Sequence, residues 1–247
     1  MARHRPTLDA TVVQQPTDLA RARLLVLVHG YGEPVATLTD RLALIDPERR
    51  HLVVAPEGPF EHKGQTIWHR ALHAGDEADQ QFRASLAAID DLLGRVEDEH
   101  GLPASEAIVG GFSQGGGLGI AMLLGADVAH RPRGAFGVCS FAPHISGFRV
   151  DRAAATGRPC LLTSAHQDHF APIEVSRAGA VALQQAGLDL TFAETDGGHV
   201  MTDEAAATVG RWLAWLDGGE PVERGHDLLA DVGPRADYLE ELWELVS

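Results

Sequence analysis

The sequence predicts an α/β protein with a mostly parallel central sheet and helices on both faces. Three observations carry that expectation. Short, fully apolar runs such as Leu24 to Val28, "LLVLV", read as strands buried on both faces. Helix-periodic segments separate these runs, as parallel crossovers require. Between Ile108 and Met122, "IVGGFSQGGGLGIAM" places one serine among glycines, with strand-like sequence before it and helix-like sequence after it.

Each element can be justified in order. Thr7 to Val13 is a candidate first strand, followed by the strand at Leu24 to Val28. Pro34 to Ile45 has helical spacing at Leu38, Leu42 and Ile45. His51 to Val54 is a strand closed by Ala55-Pro56. A longer helix is expected from about Glu77 to His100, with Phe82, Leu86, Ile89 and Leu93 on one face. Ala107 to Gly110 is a strand, and Gly117 to Leu124 a buried helix. Gly134 to Ser140 and Pro159 to Ser164 are further strands. Pro172 to Gln185 is helical, Leu188 to Glu194 is a strand, and Thr202 to Leu216 is a helix. These elements form one domain, residues 1–217. Residues 218–247 form an acidic C-terminal extension ending in an amphipathic helix, with Leu239, Leu242, Trp243 and Val246 at i, i+3, i+4 and i+7. A docked helix, a homodimer contact and a cover over the site are the roles open to it.

Composition narrows the function. The chain has 247 residues, 45% hydrophobic, enough for a sizeable core. Its net charge of −15 argues against nucleic-acid and anionic-membrane partners. No apolar run reaches the length of a membrane span, and "MARHRPTLDATVV" lacks the apolar core of a signal peptide. The only two cysteines, Cys139 and Cys160, lie in apolar strand-like sequence, as expected of free thiols in a reducing cytoplasm.

The glycine-rich stretch does not fit phosphate binding. No dinucleotide fingerprint is present, and the only lysine, Lys63, lies in the loop-like "FEHKGQT". Gly111-Phe112-Ser113-Gln114-Gly115 instead matches G-x-S-x-G, in which a nucleophilic serine sits on a sharp strand-to-helix turn. A serine hydroxyl needs a general base, and the base needs an orienting acid. In parallel-sheet hydrolases these follow in the order Ser, Asp or Glu, His, from loops at the carboxyl ends of strands. Asp168 follows one strand in "SAHQDHFAPIE", and His199 follows the next in "TDGGHVMTDE". Asp196 competes as the acid, although it shares the histidine's loop, and His166 and His169 flank Asp168. An oxyanion hole needs two backbone N–H donors. Gln114, after the nucleophile, supplies one. Tyr31, in "LVLVHGYGEP" after an early strand, supplies the other.

In their order and spacing, "HGYG", "APEGP" with "IWH", "GFSQGG", "HQDHFAP" and "GGH" resemble the phospholipase/carboxylesterase family, which includes acyl-protein thioesterases and small carboxylesterases of the α/β-hydrolase fold. The resemblance spans about Leu24 to Leu216. It implies the triad Ser113, Asp168 and His199, the donors Tyr31 and Gln114, and a place for Trp68 near the substrate pocket. The chain departs from the pattern at His166-Gln167-Asp168, where the family often has Gly-x-x-Asp. It departs again at "CSFAPH", where the family often has Ser-Gly, so Phe141 and His144 are expected to reshape the pocket.

Thirteen histidines raise the question of a metal, and His69 and His73 are spaced i, i+4. Without HExxH or cysteine pairs, these two are expected to line the pocket mouth, and no metal or other cofactor is expected. The reading is a serine hydrolase of small-molecule carboxylic esters or thioesters. The alternative is a protein that keeps this fold for binding without turnover.

Overall fold

The computed structural model describes residues 6–70, 75–143, 145 and 147–232. Its strands are β1 (Ala10–Gln14), β2 (Arg23–Val28), β3 (His51–Pro56), β4 (Phe60–His62), β5 (Gln65–Ile67), β6 (Ile108–Phe112), β7 (Gly134–Val138), β8 (Pro159–Ala165) and β9 (Asp189–Thr195). Its α-helices are α1 (Ala36–Thr39), α2 (Leu42–Ile45), α3 (Asp76–His100), α4 (Gln114–Leu124), α5 (Arg152–Ala155), α6 (Ile173–Gln185) and α7 (Asp203–Leu216).

Seven strands form one sheet in the order β1-β3-β2-β6-β7-β8-β9. β1 is antiparallel to β3, and every other neighbouring pair is parallel. Adjacent side chains along a strand point to opposite faces, and each face has its own core. Leu24, Val26 and Val28 join Phe82, Ile89, Leu118 and Leu183 from α3, α4 and α6. Leu25 and Leu27 join Leu38, Ile45, Val209 and Trp212 from α1, α2 and α7. Burial on both faces is why these strands read as continuous apolar runs rather than as alternating ones.

The parallel register brings the loops after β2, β6, β8 and β9 to one edge. Val28 lies opposite Gly111, and Ala165 opposite Thr195. After β2 the chain moves to β3 on one side, and after β6 to β7 on the other. Such a reversal leaves a crevice at the carboxyl ends of the strands.

Two stretches differ from the sequence expectation, and the short helix α5 has no counterpart in it. The helix expected over Pro34 to Ile45 is two short helices, α1 and α2. Arg41, at φ −104° and ψ 10°, interrupts them, and its guanidinium turns back to the Thr37 carbonyl and across to Asp203. The loop-like "FEHKGQT" is the hairpin β4–β5. Lys63 and Gly64 both have positive φ, 52° and 73°, the geometry of a two-residue turn matched to the strand twist.

Beyond α7 the chain returns along β9. The Phe192 N–H donates to the Arg224 carbonyl at 3.0 Å, and His226 Nε2 donates to the Leu190 carbonyl at 3.0 Å. Gly225 has φ 62°, and a Cβ there would lie 1.8 Å from the Phe192 oxygen. The expected terminal helix carrying Leu239, Leu242, Trp243 and Val246 falls outside the described residues, as do His73 and His144.

Candidate active site

The site is built around the turn between β6 and α4. Ser113 sits there at φ 51° and ψ −117°, a conformation that costs a non-glycine residue of order 1–3 kcal/mol. Its surroundings hold it in place. Its N–H donates to the Val138 carbonyl at 2.9 Å, and its carbonyl accepts from Ser140 Oγ at 2.8 Å. The flanking glycines are sterically required. A Cβ at Gly111 or Gly115 would lie 1.8 or 1.9 Å from the Val28 carbonyl oxygen, so only glycine lets β2 pass this close to the turn.

Ser113 Oγ lies 2.9 Å from His199 Nε2, and His199 Nδ1 lies 2.7 Å from Asp168 Oδ2. The other carboxylate oxygen of Asp168 accepts the N–H groups of Phe170 and Ala171, each at 2.8 Å. The side chain of Asp168 is wholly buried. Its geometry is therefore fixed on both oxygens, and one oxygen faces the imidazole. The rivals stand elsewhere. Asp196 is exposed and pairs with His166 Nδ1 at 3.2 Å, while His166 Nε2 meets Glu194 at 3.0 Å. His169 is exposed.

Gln114 is the first residue of α4, where backbone N–H groups have no intrahelical acceptor and the helix end is positive. Tyr31 lies three residues past the end of β2, beside the turn of the neighbouring β6. The intervening loop is pinned at several points. His29 Nδ1 donates to the Gly30 carbonyl at 2.7 Å, and its Nε2 accepts from the Gly58 N–H at 3.0 Å. Burial lowers the His29 pKa, which suits the neutral ring this pattern requires. The Tyr31 hydroxyl bonds to His62 Nδ1, and the Gly32 N–H donates to the Thr66 carbonyl at 3.0 Å. The hairpin thus braces the loop that carries Tyr31.

Trp68 lies behind this loop rather than at its surface. It is 0% exposed, and its indole N–H donates to the His29 carbonyl at 3.0 Å. Its backbone N–H donates to Gln114 Oε1 at 3.4 Å, while Gln114 Nε2 donates to the His69 carbonyl at 2.7 Å. The Gln114 side chain therefore ties the serine turn to residues 68 and 69. His69 is buried, its pKa is lowered by burial, and its Nδ1 donates to the Arg70 carbonyl at 2.6 Å.

Two aromatic rings flank His199. The Phe170 ring, 85% exposed, has its centroid 5.1 Å from the imidazole, and Phe112 packs at 4.9 Å. Val200 is also exposed. Phe141 lies over α4 at Gly117, where a Cβ would come within 3.2 Å of its ring.

Sequence reading gave Cys139 no part in the site. It is buried, with φ 47°, and Cys139, Asp168 and His199 bring their ligand atoms within 4.8 Å of one another. Burial, then the charge of Asp168, pushes its thiol up to about 12, so it stays protonated and does not compete as a nucleophile. The one usable sequence signal was its position at the end of β7, next to the elbow strand.

A sequence profile described as phospholipase/carboxylesterase matches residues 8–214. Among curated proteins, none matches the chain significantly by sequence. Several solved structures share the fold. The carboxylesterase of Bacillus cereus superposes with a TM-score of 0.72 at 18% identity, covering 83% of this chain and 92% of its own. A carboxylesterase from Mesorhizobium loti gives 0.67 at 21% identity, covering 87% and 97%. Acyl-protein thioesterase 2 from Zea mays gives 0.62 at 17% identity, covering 85% and 98%. These likenesses establish the α/β-hydrolase fold.

Proposed function

The chain belongs to the phospholipase/carboxylesterase family, and we propose that it is a serine hydrolase of carboxylic esters or thioesters, working through an acyl-enzyme. The observation that carries this reading is the continuous relay from Ser113 Oγ to His199 at 2.9 Å and from His199 to buried Asp168 at 2.7 Å. His199 Nε2 takes the hydroxyl proton as Oγ attacks the acyl carbonyl. The Tyr31 and Gln114 N–H groups receive the oxyanion, each contributing about 3 kcal/mol to its stabilisation. His199 then protonates the departing alcohol or thiol. Water, deprotonated by the same imidazole, releases the acid and restores Ser113. Asp168 holds the ring in the tautomer that presents a bare Nε2 to the serine.

Trp68 serves as a prop for the oxyanion loop rather than as a substrate contact. The exposed rings and methyls of Phe170 and Val200 favour uncharged, apolar substrates. The two free thiols, Cys139 and Cys160, fit work in a reducing cytoplasm.

The test is hydrolysis of p-nitrophenyl acetate, together with covalent labelling by a fluorophosphonate. Both are expected in the wild type and absent in Ser113→Ala. A folded Ser113→Ala protein with unchanged hydrolysis would overturn the serine mechanism. A folded wild type that neither turns over a graded series of acyl esters nor labels would instead favour a binding protein on this fold.

A further inference from the structure

His199 lies on a short loop rich in glycine, yet its imidazole must meet two partners at hydrogen-bond distance. Gly197 has φ 103°, and the Val200 N–H donates to the Gly198 carbonyl at 2.8 Å. That i to i+2 bond closes a three-residue turn with His199 at its apex. Such a turn has little stiffness of its own, because Gly197 and Gly198 leave the chain before it free to pivot.

Two residues outside the triad hold this loop. The Gln167 N–H donates to the Gly197 carbonyl at 2.8 Å, and Gln167 Oε1 accepts the Gly197 N–H at 3.1 Å. Both backbone groups of Gly197 are thus taken by the residue immediately before Asp168. Cys139 Sγ faces the Gly198 carbonyl at 3.9 Å and the Val200 carbonyl at 3.8 Å, the length of sulfur hydrogen bonds. Its sulfur thus faces both carbonyls that bracket His199 and also lies against the Asp168 carboxylate. Cys139 is itself fixed at the end of β7, its N–H donating to the Thr163 carbonyl at 2.9 Å.

We propose that Gln167 and Cys139 are positioning residues that clamp the 197–200 turn, so that His199 Nε2 stays aimed at Ser113 while Nδ1 stays on Asp168. The proposal rests on the hydrolase reading for its kinetic consequences, and on geometry alone for its structural ones. Neither side chain touches substrate. Gln167 couples the base's loop to the acid's loop, and Cys139 ties it to the end of β7. The clamp also gives a protonated, buried thiol a place in the site without chemistry of its own.

The experiment compares Gln167→Ala and Cys139→Ala with the conservative Gln167→Glu, which keeps an acceptor oxygen, and Cys139→Ser, which keeps a donor. Each alanine variant is expected to lower kcat by about tenfold with KM unchanged, as loss of reacting geometry does. The conservative variants should recover most of that loss. By nuclear magnetic resonance, the His199 ring signal should be single and sharp in the wild type and broadened or doubled in the alanine variants. Alanine variants that keep both kcat and a single ring signal would overturn the clamp, as would equal losses in the alanine and conservative variants. Gln167 is exposed, so its variants test the proposal even if the Cys139 variants fold poorly. If the wild type shows no Ser113-dependent hydrolysis, the hydrolase reading falls. The ring signal then decides the clamp alone, with doubling in the alanine variants supporting it and an unchanged signal overturning it.

Discussion

Asp168 uses both of its carboxylate oxygens, but only one of them on His199. The other is held by two backbone N–H groups of its own loop, at 2.8 Å each. The carboxylate is therefore oriented before the imidazole arrives. Asp168→Asn should leave the fold intact, present an amide that can turn its NH2 toward Nδ1, and reduce kcat by about 10³–10⁴ through the wrong imidazole tautomer. His199→Ala should be as inactive as Ser113→Ala, because the two act as one unit. Asp196→Asn should change kcat by less than threefold, since Asp196 is exposed and pairs with His166. Steady-state kinetics of the four variants decides it, and a larger loss in Asp196→Asn than in Asp168→Asn would reassign the acid.

Gly115→Ala should be far more damaging than a methyl group implies. Its Cβ would sit 1.9 Å from the Val28 oxygen and 2.7 Å from the His29 oxygen, both backbone atoms that cannot rotate away. The cost should reach or exceed the upper end of about 1–3 kcal/mol for overpacking, and the displaced turn should lose ester hydrolysis. Urea unfolding and activity measured on one preparation test both parts. A variant that kept both would mean that β2 yields at this contact.

Trp68→Phe keeps an aromatic ring but removes the donor to the His29 carbonyl. That buried oxygen loses its indole partner, at about 1–3 kcal/mol, and the loop bearing Tyr31 loosens. A fall in kcat of about tenfold with little change in KM is expected if Trp68 acts through the oxyanion loop. A rise in KM alone would return Trp68 to a substrate contact.

His166 joins the loop of Asp168 to the loop of His199 through Asp196 and to β9 through Glu194. Its pKa is raised, first by the hydrogen bond to Asp196 and then by that to Glu194. A raised folded value means that its stabilisation is full below the unfolded value near 6.5 and fades as pH climbs through the folded value. Glu194 shows the opposite case. Burial works against its charge, but the hydrogen bonds from Arg177 and His166 hold its pKa down, so its share is lost only in acid. Wild type should therefore exceed His166→Asn in unfolding stability at pH 6 by more than at pH 9. The gap should be small, because the imidazole is 45% exposed. An equal gap at both pH values would show that charge has no part in it.

The sequence exposed the parts of the site that obey local rules. Ser113 followed from a five-residue motif whose glycines are sterically forced. Asp168 and His199 followed from chain order and from their place just past strand ends. The supporting contacts were hidden because each depends on which distant segments meet. Nothing in the sequence pairs Gln114 with the backbone at Trp68 and His69, or sets Cys139 against the His199 turn. The β4–β5 hairpin was missed because Lys63-Gly64 is not among the usual turn pairs, although Gly64 supplies half of its geometry. The interruption at Arg41 was missed because Leu38, Leu42 and Ile45 keep helical spacing across it.

The return of residues 222–229 along β9 has a consequence beyond the site. A strand at the end of a sheet offers a ladder of free amide and carbonyl groups on which another polypeptide can extend. Here Arg224 and His226 occupy that ladder at Leu190 and Phe192, and Gly225 allows an approach no side chain would permit. At the opposite end, the register of β1 against β3 slips between Val12 and Gln14, which bends that strand out of line for a partner. Both margins of the sheet are thus made poor templates for intermolecular strand addition. A chain cut after Asp217 should keep Ser113, His199 and Asp168 in place and still hydrolyse acetate esters. It would leave β9 bare, and light scattering should record concentration-dependent growth in mass that the full chain resists.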